Sequence, residues 1–297
     1  MSEYAISIAS NMGIIAFVAL SAYVILVAGE ISFGQQAYFG IGAYVSGVAS
    51  AMWGWPFVPA LALGSLAAAV AALAVGVLTL RLRGLYFAIA TLCFAEMIRL
   101  GLNSVRVQVE IDGELVGPDG AEGFGDIRWI FENNVTPLEF MFMIYGLLGA
   151  ALALMLLVER SHLGAVLRMI GQDPLLASSQ GIDVRLCKLL AITFAGMLAG
   201  LGGCLYAHFA TYVEPNVFNV MLGVHGLAYG LIGGLGTALG PIIGVVLDIG
   251  FLEGIRAIQG YRMIVFGGLV AVLLIVMPRG ILDEARVHRI KRWMRRS

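Results

Sequence analysis

Polar residues that could bind a solute interrupt the apolar sequence near its start. The stretch GEISFGQQAYFGIGAY, residues 29–44, places Glu30, Ser32, Gln35 and Gln36 between two apolar runs of membrane-spanning length. The runs almost touch, so a normal aqueous loop fits poorly between them. A broken backbone with polar side chains is tolerated in a bilayer where it is buried in protein or lines a water-filled cavity. The stretch therefore predicts a discontinuous helix beside a solute path. A tight hairpin with its polar side chains among the headgroups is the alternative.

Three further charged residues lie within apolar runs. Asp248 in VVLDIG is isolated, which predicts a second polar position in the interior. Glu96 and Arg99 in LCFAEMIRL share one helical face, where they can form a structural pair that lowers the cost of entering the membrane. An ion-coupled secondary transporter would use Glu30, Glu96 or Asp248 as its ion site, so that class of protein stays open as an alternative.

Motifs for catalysis and metal binding are missing from the sequence. The four histidines are scattered without an H-E-x-x-H pair, and the three cysteines have no paired spacing. The glycine-rich GGLGTALG, residues 233–240, is not followed by the lysine of a phosphate-binding loop. We therefore expect no catalytic residue, metal site or cofactor in this chain. ATP with Mg²⁺, if used, would bind to partner subunits.

The stretch GQDPLLASSQGIDV, residues 171–184, predicts a short helix in a polar segment. Its aspartate is a suitable N-cap, its proline fits the first helical position, and its second glycine suits the position after the helix. Two leucines would then be available to insert into a partner. We interpret this helix as a docking element for a soluble protein, with an ordinary interfacial helix on the headgroups as the alternative. The docking residues would be Asp173, Pro174, Leu175, Leu176 and Gly181.

The composition indicates the elements that hold these residues. Hydrophobic residues make up 60% of the 297 and charged residues only 12%, with a mean hydropathy of +0.92, whereas soluble domains carry about 25% charged residues. The runs do not alternate as barrel strands do. The sequence therefore predicts an all-α polytopic membrane protein with about eight to ten transmembrane helices. The predicted spans are 6–28, 31–52, 57–80, 84–105, 138–158, 187–209, 218–234, 236–256 and 262–278.

The polar segments differ in charge, which predicts their orientation. Residues 106–136 are rich in acids, whereas 159–186 and the tail 279–297 are rich in arginine. An excess of lysine and arginine marks the cytoplasmic side. We therefore expect the acidic loop to be periplasmic, and the 159–186 loop and the C-terminal tail to be cytoplasmic. An odd number of predicted spans separates the acidic loop from the tail, in agreement.

Glycines at four-residue spacing recur in the C-terminal half. Gly196 and Gly200 form the first such pair. Pairs of this kind let helix backbones approach closely in lipid. We expect a tightly packed bundle there.

Five motifs follow one another along the chain. They are GEISFGQQAYFGIGAY, LRLRGLYFAIATLCFAEMIRL, SHLGAVLRMIGQDPLLASSQGIDVRLCKLLAITFAGMLAGLGGCLYA, LIGGLGTALGPIIG and YRMIVFGGLVAVLLIVMPRGIL. In this order they resemble the LivM-type permeases of bacterial branched-chain amino-acid ABC transporters. The resemblance covers nearly the whole chain and implies one importer transmembrane domain over residues 1–297, with a ribose-permease-like fold and a broken second helix.

The resemblance also implies a non-catalytic permease subunit in the bacterial inner membrane, in contact with lipid and without a nucleic-acid partner. It would form half of a translocation path with a LivH-like second permease or with a second copy of itself. Two cytoplasmic ABC ATPases would hold the ATP and Mg²⁺. A periplasmic binding protein would deliver the solute, a branched-chain or other amino acid, urea, an amide or an aromatic acid.

The resemblance bears on two of the sites already described. It assigns the coupling role to residues 173–181, which the capping pattern had indicated independently. The family often has glutamine in place of Glu30 and histidine in place of Gln35, so the identity of the solute stays open at these positions.

Overall fold

The computed structural model describes residues 3–82, 84–111, 114–252, 262–277 and 280–282. Twelve α-helices and two short strands occur in these ranges. The strands are β1 Val109–Ile111 and β2 Glu114–Val116. The helices are α1 Glu3–Val27, α2 Gln35–Ala51, α3 Phe57–Thr79, α4 Leu85–Ser104, α5 Trp129–Glu132, α6 Pro137–Arg160, α7 His162–Gln172, α8 Pro174–Ser179, α9 Val184–Ala210, α10 Val220–Gly233, α11 Leu239–Val245 and α12 Arg262–Val276.

The predicted class, an all-α polytopic membrane protein, is confirmed. Among the described residues, α1, α3, α4, α6 and α9 are long and apolar enough to cross a membrane. The other predicted spans correspond to shorter helices: α2, α10, α12, and α11 with the π-helical turn Val246–Leu252 that continues it. The predicted 31–52 span becomes helical only at Gln35, because the residues before it form the break.

The described residues of the acidic stretch 106–136 include two paired strands and a short helix, so the stretch is not a plain loop. Strands β1 and β2 pair in antiparallel register, with Val109 opposite Val116. An isolated bridge joins Phe124 to Val213, which follows α9. The sequence predicts no strands here, because strands as short as these do not show enough periodicity to be recognised.

Helix α9 is the centre of the bundle and packs against α1, α2 and α3. Helices α2 and α9 run parallel, and a Cβ added to Gly42 would overlap the backbone of Gly200. Gly200 and Gly196 also pack against the Cβ atoms of Ala68 and Ala72 on α3. The glycine pair therefore lies at a close helix contact, as its spacing predicted.

The two ends of the bundle carry different segments. At one end, which we call the α8 end, the Arg168 guanidinium donates to the Gly236 carbonyl oxygen at 3.1 Å, and the Leu282 amide donates to the Gly233 carbonyl oxygen at 2.8 Å. The hairpin of β1 and β2 lies at the opposite end, beyond the end of α9. The acidic and basic stretches therefore lie at opposite ends. The predicted basic tail lies outside the described residues, except for 280–282.

Candidate functional site

The break between α1 and α2 has buried polar side chains, although Gly29 and Ile31 within it are exposed. It runs from the end of α1 at Val27 to the start of α2 at Gln35. The Phe33 amide donates to Thr91 Oγ1 on α4 at 3.1 Å, and the Gly34 amide donates to Ser32 Oγ at 3.1 Å. The polar side chains predicted here from the sequence are between 0% and 7% exposed, so they are buried in the protein. These residues are Glu30, Ser32, Gln35 and Gln36.

Several polar side chains at this break have no hydrogen-bond partner within the described part of the chain. Both amide atoms of Gln35 and of Gln36 are in this state, as is the hydroxyl of Tyr38. A buried polar group without a partner costs about 1–3 kcal/mol. Such groups within the first turn of α2 are therefore suited to contact a polar solute or water that passes through the protein.

The break lies well inside the bundle. The Lys188 ammonium contacts Glu30, and Ser50 Oγ lies 2.8 Å from His208 Nε2. The two partners are separated by the same number of positions in both contacts, so α2 and the residues just before it keep one register against α9. The same register places Gln36 about 15 Å along α9 from Val184, in a helix about 40 Å long. A Cβ on Gly223 of α10 would overlap the Gln36 side chain. The unpartnered Gln36 amide therefore lies near the middle of the bundle, against α10.

A buried ion pair lies next to these amides, on the side nearer the α8 end. Lys188 Nζ is 2.5 Å from Glu30 Oε1, and the two side chains are 11% and 8% exposed. The other Glu30 oxygen is buried and has no partner among the described residues. The sequence by itself does not assign Lys188 to this site. Its position at the start of an apolar run was the available signal.

A pocket of about 650 Å³ opens from this ion pair at the α8 end. It lies between the break, α8, the start of α9 and the connection from α3 to α4. Its polar and α8 residues include Glu30, Arg81, Pro174, Leu175, Arg185 and Lys188. We call this pocket the vestibule. Helix α8 and the break therefore line two sides of the vestibule.

Helix α8 has the local structure that its sequence predicts. Asp173 Oδ1 accepts hydrogen bonds from the amides of Leu175 and Leu176 at 2.9 and 3.1 Å. Pro174 is the first helical residue, and Gly181 follows the helix with a φ of +81°. Leu175 and Leu176 are 71% and 53% exposed. The capped helix with two exposed leucines is thus present, whereas its docking role stays a prediction.

The other acids predicted from the sequence lie apart from the break. Asp248 Oδ2 accepts a 2.6 Å hydrogen bond from the Tyr229 hydroxyl, in a separate core cluster of α10, α11 and α12. The structural pair of Glu96 and Arg99 forms, with two Arg99 Nε contacts of 3.1 Å to the carboxylate. Each of the three acids that an ion-coupled transporter would use, including Glu30, therefore already has a protein partner.

Glu159 at the end of α6 is a polar junction that sequence reasoning missed. Its Oε1 accepts from the Tyr23 hydroxyl at 2.6 Å and from the Ala238 amide at 2.5 Å. Its Oε2 accepts from Thr237 Oγ1 at 3.2 Å. The carboxylate thereby joins α1, α6 and the glycine-rich connection between α10 and α11 at the α8 end.

Comparisons with known proteins agree with these features. The model of the family described as "Branched-chain amino acid transport system / permease component" matches residues 4–277. The high-affinity branched-chain amino acid transport system permease protein LivM of Escherichia coli (strain K12) is 28% identical over 89% of this chain and 66% of its own length. LivM of Salmonella typhimurium is 29% identical over the same shares, so the chain spans about 66% of these relatives.

A second permease type also matches. The high-affinity branched-chain amino acid transport system permease protein LivH of Escherichia coli (strain K12) is 27% identical over 54% of this chain and 52% of its own length. No solved structure matched the chain significantly.

Proposed function

We propose that this chain, which belongs to the family of permease components of branched-chain amino acid transport systems, forms half of the solute path of an ATP-driven importer. The relatives named LivM and LivH are permease proteins of such systems. The multi-pass helical architecture supports the proposal because a path for a polar solute needs helices that cross the membrane. The structural observation that carries it is α8, a capped helix with exposed leucines beside the break.

The solute in this proposal is small and polar. A branched-chain or other amino acid fits the names of the relatives, and urea, an amide or an aromatic acid belongs to the same range of polar solutes. Gln35, Gln36 and Tyr38 would supply hydrogen bonds to it, since their polar atoms lack partners among the described residues. Glu30, Glu96 and Asp248, the three acids that an ion-coupled transporter would use, each contact another side chain, which favours ATP over ion coupling as the energy source.

The remaining components would be separate proteins. A LivH-like permease, or a second copy of this chain, would complete the path. Two ABC ATPases with ATP and Mg²⁺ would dock at the α8 end, and a solute-binding protein would dock at the hairpin end. In this arrangement the α8 end and the C-terminus are cytoplasmic in the bacterial inner membrane, and this subunit is not itself catalytic. The arginines at the α8 end support that orientation.

Force would reach the path through α8. Leu175 and Leu176 project from the helix into solvent, so a cleft on an ATPase could receive them. Exposed apolar side chains that enter a partner's pocket typically dominate such interfaces. The Asp173 cap fixes the first turn, and therefore fixes the direction in which both leucines point.

The test is the double variant Asp173→Ala with Leu176→Glu in the assembled transporter. Loss of the cap costs about 1 kcal/mol of helix stability, and a charge in an apolar pocket costs more. We expect solute-stimulated ATP hydrolysis and uptake to fall by at least about tenfold, with normal insertion of the subunit. Co-purification of the ATPases should fall in parallel.

A matched control lies on α10, away from α8. Asn219 Oδ1 caps α10 by accepting from the Met221 amide at 2.9 Å, and Met221 is 46% exposed. Asn219→Ala with Met221→Glu therefore makes the same chemical change at a helix start that does not belong to α8, and co-purification of the ATPases should be unchanged. Normal uptake and ATP hydrolysis in the Asp173 and Leu176 variant would remove the coupling role of α8.

A further inference from the structure

We propose that the Glu30–Lys188 ion pair is the gate of the solute path at the α8 end, and that α8 opens it through Gly171 and Gly29. This inference rests on the proposed function and assigns a role to Lys188. The pair joins the break to α9, the helix at the centre of the bundle. Its two members come from positions far apart in sequence and are held by a single 2.5 Å contact.

The position of the pair separates two kinds of space. On one side lies the vestibule, which both Glu30 and Lys188 line. On the other side, deeper in the bundle, lie the unpartnered amides of Gln35 and Gln36. A solute moving from the amides to the vestibule along the break must pass the contact between Glu30 and Lys188. The Glu30 and Lys188 side chains must therefore separate before the solute can pass.

The charges around the pair allow it to part. Arg81 and Arg185 are exposed and line the vestibule with Glu30, which is its one acidic residue among those that the structure describes. When the Glu30 carboxylate leaves Lys188, it finds guanidinium groups and water on the vestibule side. A buried charge that lost its partner without such replacement would be strongly destabilising. The second Glu30 oxygen has no partner in the described ranges, so within them the closed contact is held at one point only.

The connection to α8 is a contact between two glycine backbones. Gly29, next to Glu30, has a φ of +81°, and a Cβ built on it would lie 2.8 Å from Gly171 Cα. Gly171 precedes Asp173, the N-cap of α8, by two positions. Because no side chain separates the two backbones, a displacement of α8 that moves Gly171 displaces Gly29 directly. The carboxylate of Glu30 then shifts relative to Lys188 on α9.

Cross-linking tests whether the pair must part. In the assembled transporter with the native cysteines replaced by alanine, Glu30→Cys and Lys188→Cys are joined by a short bifunctional thiol reagent that a reductant cleaves. We expect uptake to fall by at least about tenfold on cross-linking and to return on reduction. The cross-linked fraction should also differ between nucleotide-free and ATP-trapped transporter.

The matched control is a second ion pair that joins residues within one helix. Glu96 and Arg99 are three positions apart on α4, so their contact closes no gap between elements. The same cross-link through Glu96→Cys and Arg99→Cys should leave uptake unchanged. Full uptake by the transporter cross-linked between positions 30 and 188 would overturn the gate.

Charge reversal gives a second measurement that does not depend on the cross-link. Glu30→Lys or Lys188→Glu alone places two like charges together, so the gate cannot close and the transport cycle cannot be completed. Each single reversal should therefore lower ATP-driven uptake by at least about tenfold, whereas the two combined should restore most of it. Single reversals that transport as well as the parent would overturn the gate. ATP-driven uptake by the cysteine-free parent is measured first, so failure of the proposed function is seen separately from failure of the gate.

Discussion

Replacement of Glu159 tests the junction between α6 and the glycine-rich connection. In the Glu159→Ala variant, the Tyr23 hydroxyl, the Ala238 amide and Thr237 Oγ1 lose their shared acceptor. The Glu159 side chain is 14% exposed, so water replaces it only partly. A hydrogen bond to a charged group contributes about 1.5–3 kcal/mol. Water partly replaces the lost contacts, and the Tyr23 hydroxyl can still donate to the Leu235 carbonyl oxygen. We therefore expect the free energy of unfolding to fall by about 3–4 kcal/mol.

The assay is reversible unfolding in mixed micelles, followed by helical circular dichroism. The matched control is Glu139→Ala, which removes an exposed carboxylate from the opposite end of the same helix, where it completes a capping box with Thr136. Glu159→Ala should destabilise the protein clearly more than Glu139→Ala does. Tyr23→Phe removes one donor and should cost about 1 kcal/mol in the parent and little in the Glu159→Ala background.

Equal losses in the Glu159→Ala and Glu139→Ala variants would refute the reasoning. They would mean that the carboxylate does not hold the connection between α10 and α11. An unchanged cost of Tyr23→Phe in the Glu159→Ala background would refute the contact between Tyr23 and Glu159 in particular.

Two further substitutions test the packing of α2 and the role of its amides. Gly42→Ala places a Cβ against the Gly200 backbone and should cost about 1–3 kcal/mol in the same unfolding assay, whereas Gly101→Ala, which meets nothing within 4 Å, should stabilise the protein slightly. Equal effects of the two would refute the close contact. Gln36→Leu removes two unpartnered buried atoms, so we expect stability within about 1 kcal/mol of the parent but at least about tenfold lower uptake. Normal uptake by Gln36→Leu would exclude this amide from the path.

Local patterns determined much of the fold and one part of the site. The apolar runs predict the helices because a membrane-spanning helix satisfies its own backbone hydrogen bonds. Helix α8 is predicted by Asp173, Pro174 and Gly181. Capping is also local in sequence, because a cap accepts hydrogen bonds from amides two or three residues away. The polar residues of the break were likewise visible as an interruption of the apolar pattern.

Tertiary structure decided which of these residues meet. Lys188 contacts Glu30, and Gln36 lies against Gly223. Glu159 accepts hydrogen bonds from Tyr23 and from the connection before α11. The partners in all these contacts are far apart in sequence. The parallel register of α2 and α9 sets the first of these contacts, and that register depends on where glycine backbones approach, as Gly42 and Gly200 do. Capping and hydropathy act over a few residues, whereas the register between helices is fixed by packing over their whole length.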